Sequence, residues 1–220
     1  MRKNCHAFAT MSTLAKKTLE PLLTVCGLFV MITLCYLSIR HFTMNLSNYP
    51  KDPPFAAMAE ELTRYLSGRL PMLSSLFTER ESAHMVDVLH LFQLGKWVSI
   101  ATVAFYLIVV PVALCKAPAL IGRLQMGMGL FFVFALFLAI WATADFEGWF
   151  VAMHKVAFAN DLWLLDPRES TLIQMLPIDF FIRAVRGVAI RFLALTAMTT
   201  ASTVIMRRLS KRSRRPDAME

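Results

Sequence analysis

The chain has 220 residues, of which 57% are apolar and only 17% charged, with a formal charge of +8. A soluble domain carries about a quarter charged residues, so this composition excludes an ordinary water-soluble globular protein. The positive charge is not spread as a nucleic-acid footprint either: it gathers in the tail (Arg207, Arg208, Lys211, Arg212, Arg214, Arg215), in the lead (Arg2, Lys3, Lys16, Lys17) and at Lys116 and Arg123.

Four apolar runs are long enough to cross a bilayer. They are Leu22–Ile39, Trp97–Cys115, Met126–Ala144 and Ala184–Met206, the last interrupted by Arg186 and Arg191. The expected fold is an all-α membrane protein of four transmembrane helices forming a single integral membrane domain over 1–220. All twelve of those basic residues fall on one side of such a bundle. Basic residues flank spans on the cytoplasmic side, which predicts both termini inside and two long outer loops, 40–96 and 145–183, with short helices in them. The tail beyond 207 then reads as a basic cytoplasmic anchor on anionic lipid. No small-x-small cleavage site follows the first run, so it reads as a retained helix.

The lead ends in Glu20-Pro21, where proline suits a helix start. In the first loop Phe55, Met58, Ala59, Leu62 and Leu66 recur at helical spacing, predicting an amphipathic helix that ends near Ser67-Gly68. It can pack on the protein or lie in the lipid interface. Residues from Glu79 to Phe92 read as a second loop helix that runs on towards Trp97. Lys116-Ala117-Pro118 and Gly122-Arg123 predict a tight hairpin between the second and third spans, and Asp145 and Glu147 mark the exit of the third. In the second loop Phe150, His154 and Phe158 stack on one helical face. Asp166-Pro167-Arg168-Glu169 fits a helix start, with Asp166 as cap. That helix stops before Pro177, and Asp179 is expected to cap the fourth span.

The candidate chemistry lies in these loops. His84 shares a helical face with Glu81 and Asp87, three residues to either side, and a carboxylate beside an imidazole raises its basicity. A solvated face with chance pairs is the plainer alternative. His154 sits on an apolar face, where a histidine is commonly a hydrogen-bonded core residue. Asn160 and Asp166 suit turns and caps, and Trp163 an interfacial anchor. A metal site would draw on His84, Asp87, His90 and His154. However, six residues separate His84 from His90, which points them about 120° apart on a helix, and no H-x-x-x-H or H-E-x-x-H is present. Arg186 and Arg191 are costly in lipid and are functional candidates on that ground. Arg191 is expected to pair with an outer-loop acid or to bind a polar lipid group.

Two stretches, Glu81-x-x-His84-Met85-x-Asp87-Val88 and His154-x-x-x-Phe158-x-Asn160-Asp161-x-Trp163-x-Leu165-Asp166-Pro167, the second continuing to Leu172-Ile173-x-x-x-Pro177-x-x-Phe180-Phe181, resemble the bacterial lipoprotein intramolecular transacylase family over roughly residues 20–207. The resemblance implies a four-span enzyme of the bacterial plasma membrane with its active site facing outwards. Its substrate is a lipoprotein whose N-terminal Cys carries a diacylglyceryl group. The reaction moves the sn-2 acyl chain onto the α-amine of that Cys, giving the lyso-form, with no cofactor and no metal. The resemblance assigns His84 as general base, oriented by Glu81 or Asp87, and His154 as oxyanion stabiliser, aided by Asn160. Asp166 is expected to be a further supporting residue, and Trp163, together with Arg186 and Arg191 from the fourth span, to bind the substrate. The expected partners are diacylated lipoprotein and membrane lipid, with no nucleic acid. Competing readings are a non-enzymatic membrane sensor or assembly factor, a hydrolase or acyltransferase acting on another lipid, and a transporter. A transporter wants polar residues inside several spans, and the first three offer almost none.

Overall fold

The structure is a computed structural model that describes residues 12–212. Arg2, Lys3, Cys5, Arg214 and Arg215 lie outside the described residues. Among those described are seven α-helices: α1 Thr13–Met44, α2 Phe55–Leu66, α3 Glu79–Lys116, α4 Ile121–Ala144, α5 Phe146–Ala157, α6 Thr171–Met175 and α7 Ile178–Arg212. Helices α1, α3, α4 and α7 are long and apolar enough to cross a membrane, in agreement with the four expected runs.

The helices extend well beyond those runs, because a helix needs backbone pairing and not continuous apolarity. Ser12 starts α1, its hydroxyl accepting the Ala15 N–H at 3.2 Å. Pro21 therefore lies inside α1 and not at its start. The 38 residues of α3 span about 57 Å at 1.5 Å per residue, whereas a hydrocarbon core needs only about 20 residues. The charged first half of α3, through Lys96, accordingly projects beyond the apolar stretch from Trp97. A 3-10 turn, Pro118–Leu120, makes the hairpin into α4. Asp145 caps α5 through the Gly148 N–H at 2.9 Å.

The described residues form two compact units. One comprises 12–34, 97–135 and 192–212. Here α1 and α4 touch backbone to backbone. A Cβ on Gly27 would lie 2.1 Å from the Leu124 carbonyl oxygen, and one on Gly127 would lie 2.0 Å from that of Thr24. Small residues give membrane helices this close approach, where dispersion and not the hydrophobic effect drives association. Arg123 pairs with Glu20 at 2.8 Å, and the Gln125 amide donates to Thr203 at 3.3 Å.

The other unit comprises 35–96 and 136–191 and has its own apolar core. Met58, Ala59, Leu62 and Leu66 of α2 are buried with Tyr49, Tyr65, Phe77, Met85, Leu172, Met175 and Phe180. The amphipathic α2 thus packs on protein, which decides between the two expected settings. It ends in a Schellman motif, with Arg69 N–H on the Arg64 carbonyl and Gly68 N–H on that of Tyr65. Gly68 takes the required left-handed φ of 77°. The loop after α2 is held by Glu61, whose carboxylate accepts the Ser74 N–H and, at 2.8 Å, its hydroxyl.

Two expected caps are replaced. Asp166 does not cap a helix: residues 167–169 form a turn, and its carboxylate accepts the Arg168 N–H at 2.9 Å and the guanidinium at 2.9 Å. Ser170 caps α6 instead, accepting the Ile173 N–H at 3.1 Å. The reason is competition: Asp166 finds a nearer donor in Arg168, and Ser170 stands directly before the first helical residue. Asp179 lies inside the first turn of α7, where its charge still suits the dipole.

Candidate active site

The site is built on the first turns of α3, on α5 and on the segment between α5 and α6, all within the second unit. Thr78-Glu79-Arg80-Glu81 forms a capping box. The Thr78 hydroxyl accepts the Glu81 N–H at 3.2 Å, and the Glu81 carboxylate accepts the Thr78 N–H at 2.7 Å. The other carboxylate oxygen reaches across to α6, accepting the Ser170 hydroxyl at 2.6 Å and the Leu172 N–H at 2.8 Å. The Thr171 hydroxyl lies 3.3 Å from the oxygen that accepts the Thr78 N–H. Glu81 is completely buried. Burial alone would raise its carboxyl, but the bonds from Ser170, Leu172 and Thr78 outweigh it and hold the group below the usual carboxylate range. Its hydrogen bonds go to Thr78 and α6, and none goes to His84. Both Thr78 and Ser170 escaped the sequence reading, although T-x-x-E ahead of a helix was a readable signal.

One turn on, His84 is buried, and its Nδ1 has no hydrogen-bond partner. Its ring lies 6.1 Å from that of His154 and 5.0 Å from Phe158, centroid to centroid. Burial first, and then the neighbouring His154, push its pKa down from 6.5 to about 4, against the opposing charge of Asp87. Asp87 lies on the same face, but its carboxylate accepts the Asn160 amide at 3.0 Å. His90 is exposed, as the six-residue spacing requires. Among the described residues no group of three or more His, Cys, Asp or Glu side chains is gathered as for a metal ion.

His154 sits in the last turn of α5. Its Nδ1 lies 2.8 Å from the Phe150 carbonyl oxygen, four residues back in the same helix. A carbonyl only accepts, so Nδ1 carries the proton, and in the neutral ring Nε2 is left with a lone pair. Aromatic rings wall the imidazole, with centroids at 4.0 Å for Phe150, 4.9 Å for Trp163 and 5.6 Å for Phe158. Burial pushes its pKa below the usual histidine value, against the bond to Phe150. Both imidazoles are therefore neutral at pH 7.

The segment that supplies these walls is pinned to α3. Arg80 donates to the Asp161 carbonyl at 2.6 Å, and Asn160 bridges Asp87 and the Leu162 N–H. Trp163 is buried against His154 and so is a wall of the site, not an interfacial anchor. Arg186 and Arg191 are exposed on α7, and neither forms an ion pair among the described residues. The expected partnership of Arg191 with an outer-loop acid is thus not made. Asp166 is a turn residue. The structure therefore brings together Glu81, His84, Asp87, His154, Asn160 and Trp163, and does not bind the two arginines to them.

Comparison with known proteins bears on the fold and the family. The sequence profile of the family "Lipoprotein intramolecular transacylase Lit" matches residues 18–181. No curated protein sequence matches. The in meso structure of the membrane-integral lipoprotein intramolecular transacylase Lit from Bacillus cereus superposes with a TM-score of 0.70 at 22% identity, covering 88% of this chain and 97% of that one. Two variants of the same protein, with one histidine replaced by arginine or by alanine, superpose at 0.70 with 20% identity, covering 90% of this chain and 96% or 97% of theirs. At such identities these likenesses speak for the fold, and the profile match over most of the chain speaks for kinship. This multi-pass membrane protein belongs to the lipoprotein intramolecular transacylase (Lit) family.

Proposed function

We propose that this chain transfers the sn-2 acyl group of a diacylglyceryl lipoprotein to the α-amine of its N-terminal Cys. We place the reaction on the outer face of a bacterial plasma membrane, in a single integral membrane domain. The observation that carries the reading is the pair of neutral, buried imidazoles, one tautomerically fixed and one unpartnered, inside an aromatic wall in a chain of this family. The flanking basic residues support both termini inside, which puts α2, α5 and α6 outside.

Ester-to-amide transfer needs a base for the amine, a donor for the oxyanion and a proton for the leaving alkoxide. The tautomers favour a division of labour different from the one the resemblance implied. His154 presents a lone pair at Nε2, so it takes the amine proton as nitrogen attacks the ester carbonyl. The resulting imidazolium returns that proton to the glyceryl oxygen as the C–O bond breaks. His84, with Nδ1 uncommitted, is free to turn an N–H towards the oxyanion. Asp87 raises His84 basicity through space while Asn160 holds Asp87, and Trp163, Phe150 and Phe158 fix the His154 ring. Donor and acceptor belong to one molecule, so holding them together supplies much of the acceleration.

The test is incubation of the purified chain with a synthetic diacylated lipopeptide, followed by fragmentation mass spectrometry, because total mass does not change. One chain on nitrogen and one on glycerol is expected, with the product absent for His84→Ala and His154→Ala proteins that still fold. Both chains left on glycerol would refute the reading. Release of free fatty acid would make the protein a hydrolase.

A further inference from the structure

The second unit contains a cavity of about 510 Å³ that shares no lining residue with the histidine pair. Arg40, Met44 and Leu46 wall it from the end of α1 and the turn beyond. Glu60, Arg64 and Arg69 wall it from α2 and its C-terminal turn. Three arginines and one glutamate are thus among its lining residues. Glu60 and Arg64 are four apart on one helix, a spacing that ordinarily pairs them, yet among the described residues they form no ion pair, and neither do Arg40 and Arg69. Complementing a helix C-terminal dipole accounts for a basic residue at each helix end. It does not account for three gathered around one cavity with a single acid among its lining residues.

The position of Arg40 indicates what would neutralise them. It directly follows the apolar run Leu22–Ile39, where hydrocarbon gives way to headgroups. On α1, Leu37 is 40% exposed and stands three residues before Arg40 and seven before Met44, so it lies on their face of the helix and makes with Met44 an apolar track that an acyl chain can follow. Met44 and Leu46 give the cavity itself an apolar side. Guanidinium groups match phosphate oxygens in a planar, two-pronged way that ammonium groups do not. The volume falls in the range of small-ligand sites.

We infer that the cavity walled by Arg40, Arg64 and Arg69 binds the phosphate headgroup of an anionic phospholipid, at a site separate from the histidine pair. The diacylglyceryl thioether of a lipoprotein carries no phosphate, so this lipid is a companion and not the substrate. Free phosphate shares the headgroup chemistry, and the apolar track favours the lipid.

The test uses the full chain in detergent, loaded from mixed micelles containing equal phosphatidylglycerol and phosphatidylcholine of the same acyl chains, with bound lipid counted by native mass spectrometry. Wild type is expected to retain phosphatidylglycerol at roughly tenfold or more over phosphatidylcholine, because both carry the phosphate but only the latter adds a quaternary cation, which three arginines repel. Arg64→Gln/Arg69→Gln protein is expected to lose that preference while keeping its melting temperature; both residues are exposed, so the fold does not depend on them. Should Arg64→Gln/Arg69→Gln also melt early, Arg40→Gln alone is the second variant, with the same loss expected. Equal retention of the two lipids by wild type, or an unchanged preference in the folded variants, would overturn the inference. So would displacement of phosphatidylglycerol by an equal concentration of inorganic phosphate, or by an acidic peptide.

Discussion

Replacing Glu81 with glutamine changes one oxygen to NH2 and probes the connection between α3 and α6. The carboxylate serves donors from two places: the Thr78 N–H on its own helix, and the Ser170 hydroxyl and Leu172 N–H of α6. Glutamine keeps one accepting oxygen. If that oxygen stays with Ser170 and Leu172, the new NH2 faces the Thr78 N–H, and neither can accept. A buried donor left unmatched costs ~1–3 kcal/mol, and the surviving bonds lose their charge assistance, worth ~1 kcal/mol more. The expected loss is about 2–4 kcal/mol, or roughly 5–15 °C in Tm for a chain of this length. Thermal unfolding in detergent reads the total. Amide hydrogen exchange at Thr78 and Leu172 reads the two ends separately, and both should exchange faster. An unchanged Tm together with unchanged exchange at both amides would refute the account of Glu81 as a clasp. Transfer activity should fall with the clasp, because Ser170 and Leu172 follow directly on the segment that carries Trp163.

Three further outcomes follow from burial and packing. The folded rings resist protonation, His84 down to about 4, while in the unfolded chain histidine takes a proton near 6.5. The unfolded state therefore binds more protons between these values, so stability should decline as pH falls from 6.5 towards 4 and the histidine contribution should level off below that. With ionisation of the substrate α-amine at pH ~8 factored out, activity that uses neutral rings should fall only well below 6.5; a remaining half-maximum at 6.5 or above in the pH–rate profile would contradict the burial of the pair. In the other unit, Gly127→Ala should force α1 and α4 apart and cost about 1–3 kcal/mol. Gly129→Ala, with nothing within 4 Å of the added Cβ, should be neutral or gain up to about 1 kcal/mol, so detergent melting curves should show a lowered Tm for the first variant and an unchanged or raised one for the second.

Hydropathy exposed the four spans because apolar length is a property of the run itself. Helix ends were less legible. Proline at position 21 looked like a start, but Ser12 supplied an earlier cap and the helix absorbed the missing N–H. The amphipathic face of α2 was readable from period alone, whereas its burial on protein depended on Tyr49, Phe77 and Phe180, which come from distant stretches. Spacing placed His84 beside two acids without showing that both acids are engaged elsewhere. The approach of His84 to His154 depends on how the loops fold over one another, and so it came from likeness to a family and not from any local pattern. Asp166 misled because its capping signature is genuine, and Arg168 simply takes the carboxylate first.

The aromatic wall around His154 bears on a competition between nucleophiles. An acyl ester activated by a general base is open to any nucleophile present, and the commonest is water. Phe150, Phe158 and Trp163 close on the imidazole from several sides with faces that offer a water molecule few hydrogen bonds. A water there would give up most of its partners to reach Nε2. An amine tethered to the same molecule as the ester arrives with its desolvation already offset by the binding of its own acyl chains. For the proposed reaction, those three rings would thus set the ratio of transfer to hydrolysis. Opening the wall at Trp163 would then shift acyl flux from lipoprotein nitrogen to free fatty acid before it abolished turnover.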